Sequence, residues 1–112
     1  MFWKKLKQDW LHLMQIKKTI LADEDLIDIY LYGCQNFGET KAEKYHAELH
    51  QAFVFLADNP FVSNERYEFD PPVRIHPHGK HLIVYTVEDS FILVIRVLHQ
   101  QMDLNRLQII AS

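Results

Sequence analysis

The sequence predicts an α+β fold: a helical hairpin packed on a small antiparallel sheet, in the order β-α-α-β-β-β. Two observations carry this expectation. Apolar residues recur with helical period over two adjacent stretches of the first half, and three β-like runs joined by short polar links fill the second half. With 112 residues the chain is a single domain. Residues 14–112 are expected to form it, and residues 1–13 to be an N-terminal extension.

That extension places Trp3, Leu6, Trp10 and Leu13 at three-four spacing, with Lys4, Lys5 and Lys7 nearby. The spacing predicts a helical stripe. It suits a membrane surface or a partner, a packing helix, or upstream sequence added by the choice of start codon. Gln15 to Leu21 reads as a short strand, with Ile16 and Ile20 apolar and Thr19 β-branched. Asp23, Glu24, Asp25 and Asp28 then cluster at the start of a run that carries Leu26, Ile29, Tyr30, Gly33 and Phe37. Carboxylates suit the positive end of a helix dipole, and Gly38 is a natural stop. Gly33 costs such a helix about 1 kcal/mol against alanine, and would permit close approach of the next helix.

The second helix has the cleanest period in the chain: Ala42, Tyr45, Leu49, Ala52, Phe53 and Leu56. Thr40 with Glu43 forms a capping-box pattern at its start, and Pro60 ends it. The two-residue break between the helices implies an antiparallel hairpin. Residues 59–72 read as a loop. Val73 to Pro77, His81 to Val87 and Phe91 to Leu98 follow as strands, linked by His78-Gly79-Lys80 and Glu88-Asp89-Ser90. The second and third runs are apolar on both faces, so they should be central or covered. Arg96 interrupts the third.

Apolar and charged residues make up 48% and 24% of the chain, proportions of a folded protein and not of a disordered tail. The formal charge of -3 lacks the basic excess of most nucleic-acid binders. No apolar run approaches the roughly 18 residues that span a bilayer. The lysine-rich N-terminus interleaves apolar and charged residues, which makes a poor signal peptide. The one cysteine, Cys34, excludes an internal disulfide and fits a reducing cytoplasm. In its helix, beside apolar residues, it is expected to be a buried, inert thiol.

The first chemical candidates are histidines. His76, His78 and His81 span six residues across a turn, and strand alternation lets His76 face His81. A metal needs three or four converging ligands with a second shell, and cysteine or carboxylate partners are missing nearby. No metal or cofactor is expected. Arg74, Tyr85, Arg96 and His99 form the better constellation, each in or beside the sheet. RNA cleavage needs a base for the 2′-hydroxyl and cations for the phosphorane, which a histidine or tyrosine beside two arginines could supply. The same residues could instead dock a partner's carboxylates. A third reading is structural, with Arg96 paired to an acidic neighbour and Tyr85 packed. There is no phosphate-binding glycine loop and no nucleophile elbow.

Several segments together are similar to a known family. Asp25-Leu26-Ile27-Asp28-Ile29-Tyr30 followed by Phe37-Gly38-Glu39 resembles the first helix of ParE toxins, although Phe37 stands where tryptophan is common. Ala42, Tyr45 and Leu49 through Leu56-Ala57-Asp58-Asn59-Pro60 resemble that family's second helix and its close. Arg74, Gly79-Lys80-His81 and Ile83-Val84-Tyr85 resemble its first hairpin, and Ile95 to Asp103 its closing strand and tail. The likeness runs from about Met14 to Leu107. It implies the toxin half of a type II toxin–antitoxin pair, a cytoplasmic protein held in a hetero-oligomer with a cognate antitoxin. It also implies a binding toxin, not an enzyme, that inhibits DNA gyrase and touches nucleic acid only through the antitoxin. The alternatives are a RelE-like ribosome-dependent mRNA endonuclease, or an inactive relative kept as a corepressor. Arg74, Tyr85, Arg96, His99 and Met102 are the expected partner-binding residues.

Overall fold

The computed structural model describes residues 14–101. The apolar stripe at 1–13, Met102 and the rest of the tail lie outside them. Strand β1 covers Gln15–Lys18, shorter than the expected run to Leu21. Thr19 cuts it off. Its hydroxyl accepts a hydrogen bond from the Ala22 amide at 3.0 Å, so the helix starts at the next residue.

Helix α1 spans Ile20–Phe37 and ends at Gly38, whose φ of 91° favours glycine. Gly38 is also the N-cap of helix α2, Glu39–Asp58. The link is thus one residue, not two. It leaves no room for the expected capping box, because Thr40 already lies within the first turn and α2 has no side-chain cap. Gly33 permits close helix approach as expected, since a Cβ there would lie 3.1 Å from the Ala42 Cβ.

Strands β2 (Glu65–Arg66), β3 (Val73–His78), β4 (His81–Val87) and β5 (Phe91–His99) complete one sheet, in the order β1-β5-β4-β3-β2. The two-residue β2 falls in the segment expected to be loop. Sequential neighbours pair antiparallel, but β1 runs parallel to β5, Gln15 opposite Phe91 and Lys18 opposite Val94. A parallel pair needs a crossover, which the helical hairpin supplies.

The helices bury Ala22, Leu26, Leu49, Phe53 and Leu56 against Ile83, Tyr85, Ile92, Val94 and Val97 of the sheet. Each fully buried large side chain contributes roughly 1.5–3 kcal/mol relative to exposure. A bulge shifts the alternation within β5. Val84 opposes Arg96 while Tyr85 opposes Val94, so Ile95 is the extra residue. The opposite sheet face gathers Val73, Val84 and Leu98 with Phe69, Ile75 and Ile95 around them. That is why both central runs read as apolar on both faces.

Candidate functional site

Three elements converge on a groove of about 700 Å³: α1 from Asp25 to Phe37, the start of α2, and the sheet end formed by the β3–β4 turn and the end of β5. Ile29, Tyr32, Phe37 and Tyr45 give it an apolar lining, and Asp28, Lys41, Lys80 and His99 add polar groups. Tyr32 and Phe37 are exposed and meet edge to face at 6.3 Å. An apolar lining of this kind can receive the apolar face of a partner helix.

On the α1 side, Asp25 accepts from Arg96 Nε at 2.6 Å and from Arg96 Nη2 at 2.8 Å. It accepts a third hydrogen bond from the Val97 amide at 3.0 Å. The reason is local. β1 stops beside Val94, so β5 beyond it would present free edge groups. Asp25 covers the Val97 amide, and the Thr19 hydroxyl donates to the Ile95 carbonyl at 2.7 Å. The Asp25 hydrogen bonds push the Arg96 guanidinium above its ordinary value, against the opposing effect of burial.

On the β4 side, the Tyr45 hydroxyl lies 2.6 Å from His81 Nδ1 and 3.3 Å from the His78 carbonyl. The His81 ring meets His99 edge-on at 5.4 Å. Burial pushes His81 below its ordinary value, and repulsion from His99 and His78 adds to this. Burial likewise raises the Tyr45 hydroxyl. Gln100 fastens the end of β5 here: its amide donates to the Lys80 carbonyl and its side chain to the Gly79 carbonyl.

The expected constellation does not assemble. Arg96 is tied to Asp25, and Tyr85 is fully buried with its hydroxyl donating to the Pro60 carbonyl at 2.9 Å. These two therefore follow the structural reading, and Tyr85 offers no surface to a partner. Arg74 lies elsewhere, donating to the Ser63 carbonyl and standing 5.0 Å from the Phe61 ring. Of the four, only Arg96 and His99 line the groove.

The histidines also pair differently from expectation. His78, not His76, faces His81, while His76 opposes Ile83 and meets Phe55 at 5.7 Å. Among the described residues no three His, Cys, Asp or Glu side chains are placed to hold a metal ion. No described helix is long and apolar enough to cross a membrane. Cys34 is partly exposed, not buried.

Sequence reasoning missed Asp25 and Tyr45 as groove residues. Asp25 was one of four carboxylates suited to the α1 dipole, and Tyr45 one of six periodic core positions. The one available signal was Arg96 itself, since a cation inside an apolar strand requires a carboxylate.

Comparison with known proteins adds four findings. Residues 16–104 match the family model described as the ParE toxin of the type II toxin–antitoxin system parDE. Toxin ParE1 of Mycobacterium tuberculosis (strain CDC 1551 / Oshkosh) is 35% identical over 86 residues, covering 76% of this chain and 88% of that protein. Toxin ParE1 of Caulobacter vibrioides is 32% identical over 82 residues, covering 73% and 84%. Among solved structures, the chromosomal ParDE TA system from P. aeruginosa superposes with a TM-score of 0.66 at 23% identity, over 79% of this chain and 97% of that one. The last likeness establishes the shared fold.

Proposed function

The chain belongs to the ParE toxin family of type II toxin–antitoxin systems, and from that premise we propose that a cognate antitoxin neutralises it and that the free toxin inhibits DNA gyrase by binding. The dispersal of the cationic candidates is the observation that carries the non-catalytic part. A phosphorane needs a base and cations aimed at one point. Here one arginine is neutralised, one lies outside the groove and the tyrosine is buried.

The groove supports an antitoxin docked as a helix more than as an added strand. The described sheet ends on a four-residue strand and a two-residue strand, and Pro77 removes an amide from β3. His99 is the contact proposed at the groove, and Arg96 contributes there together with Asp25; Arg74 lies outside the groove and Met102 outside the described residues. Access to nucleic acid is through the antitoxin.

The test is a gyrase supercoiling assay with purified toxin, with and without the protein encoded beside it. Inhibition relieved by that protein is expected. Unchanged supercoiling at molar excess over gyrase, accompanied by cleaved message on induction, would instead favour the ribosome-dependent nuclease. In that case Arg96→Ala should abolish toxicity.

A further inference from the structure

The groove and its partners leave one feature of the sequence unused: the apolar stripe Trp3, Leu6, Trp10 and Leu13. It lies before residue 16, where the family match begins, so the family's shared fold does not account for it. The structure has a matching vacancy of the opposite character. No described helix covers the far face of the sheet, where Thr86, Leu93 and Ile95 are all half-buried. With Phe61, Val73 and the Pro71-Pro72 pair they form a depression of about 440 Å³.

We propose that residues 1–13 form an amphipathic helix that docks in this depression of the same molecule, with the tryptophan–leucine stripe against Thr86, Leu93 and Ile95.

Three observations support this occupant. The first is where the segment ends. Gln15 donates its amide to the Ser90 carbonyl at 3.0 Å, which fixes the chain entry beside the β4–β5 turn. That turn borders the depression, and Glu88 at its start lines it. The second is length. Thirteen helical residues extend about 20 Å at 1.5 Å per residue, and adjacent strands lie about 4.8 Å apart, so such a helix crosses all the central strands. The third is charge. Lys4, Lys5 and Lys7 belong to the segment, and Glu65 and Glu88 line the depression. Arg74, its one lining cation, is already engaged by the Ser63 carbonyl and the Phe61 ring. The tether makes docking intramolecular, at an effective concentration in the millimolar range for a short link.

Trp3 and Trp10 are the only tryptophans in the chain, so tryptophan emission reports on this segment alone. The experiment measures emission and acrylamide quenching of the full chain, alone in dilute solution. Blue-shifted emission and slowed quenching, independent of protein concentration, are expected. Thr86→Arg should return both toward the values of free indole while far-UV circular dichroism shows an intact fold. Leu93→Glu should do the same, and Thr86→Arg keeps the test valid if Leu93→Glu fails to fold. Water-like emission in the unaltered chain overturns the proposal. So does buried emission insensitive to Thr86→Arg, which would place the segment elsewhere. A shift that appears only at high concentration identifies a second copy as the occupant, and one that appears only with anionic vesicles identifies a membrane surface. Either would likewise overturn it.

Discussion

On the α1 side of the groove, one carboxylate accepts three charge-assisted or edge hydrogen bonds, all between 2.6 and 3.0 Å. On the β4 side, a phenol and an imidazole share a single contact of 2.6 Å, beside a second imidazole. The first wall joins a permanent cation to a carboxylate, so its geometry is insensitive to pH near neutrality. The second wall carries His81, an imidazole that burial holds below its ordinary value. One wall therefore closes a sheet edge with strong, directional bonds. The other holds a turn through packing and one adjustable proton. A partner entering the groove meets a fixed surface on one side and an adaptable one on the other.

Removing the fixed wall has the largest expected effect. Asp25→Ala strands the Arg96 guanidinium and the Val97 amide, at side-chain exposures of only 18% and 14% for the original pair. Losing the acceptor for a charged donor and an edge amide costs about 3 kcal/mol. Urea denaturation should show this as a lower midpoint at unchanged slope. The double variant Asp25→Ala, Arg96→Met should recover much of the loss, because an apolar side chain leaves no charge unpaired. If the double variant is as unstable as the single one, the pair is not what secures that wall.

The adaptable wall depends on Gly79. Its φ of 57° is left-handed, and a Cβ there would lie 2.6 Å from the Tyr45 hydroxyl oxygen. Gly79→Ala should cost about 2 kcal/mol, roughly 1–2 from the backbone conformation and the rest from displacing Tyr45. In a Tyr45→Ala background only the conformational part should remain. A double-mutant cycle measures the difference. Strict additivity would show that Tyr45 does not press on the turn.

These two walls differ as much in sequence as in structure. The β3–β4 hairpin was legible because alternation and a glycine between polar residues are local signals, and β4 spans His81–Val87 as expected. The helices were legible through their period and through Gly38 and Pro60. The parallel β1–β5 pair was not, because nothing in Gln15 to Lys18 states which strand lies beside it. The Asp25–Arg96 bond spans 71 positions, and Asp23, Glu24 and Asp28 had the same local credentials as Asp25. Tyr45 was legible as a periodic core position, but its hydroxyl contact depends on how α2 crosses the sheet. Residue type showed which side chains could do chemistry. Only tertiary packing decided that Tyr85 is core, Arg96 is neutralised and Arg74 stands apart.

The smallest expected effect tests the titratable wall. Burial first, then His99 and His78, hold His81 below its ordinary value, while Asp25 pulls weakly the other way. The unfolded chain restores it to about 6.5. Between the lowered folded value and the unfolded one, the unfolded state binds more protons, so stability rises with pH in that window. The contribution of His81 is therefore complete above the unfolded value and is lost as pH falls through the folded one. His46 and His76 are lowered by burial too and give slopes of the same sign. His81→Gln retains a partner for Tyr45 but does not titrate. Denaturation midpoints of the unaltered chain should fall more steeply on acidification from about pH 7 to 5 than those of His81→Gln. Parallel profiles would assign the acid sensitivity to His46 and His76, and leave the Tyr45–His81 contact as packing without a proton-dependent part.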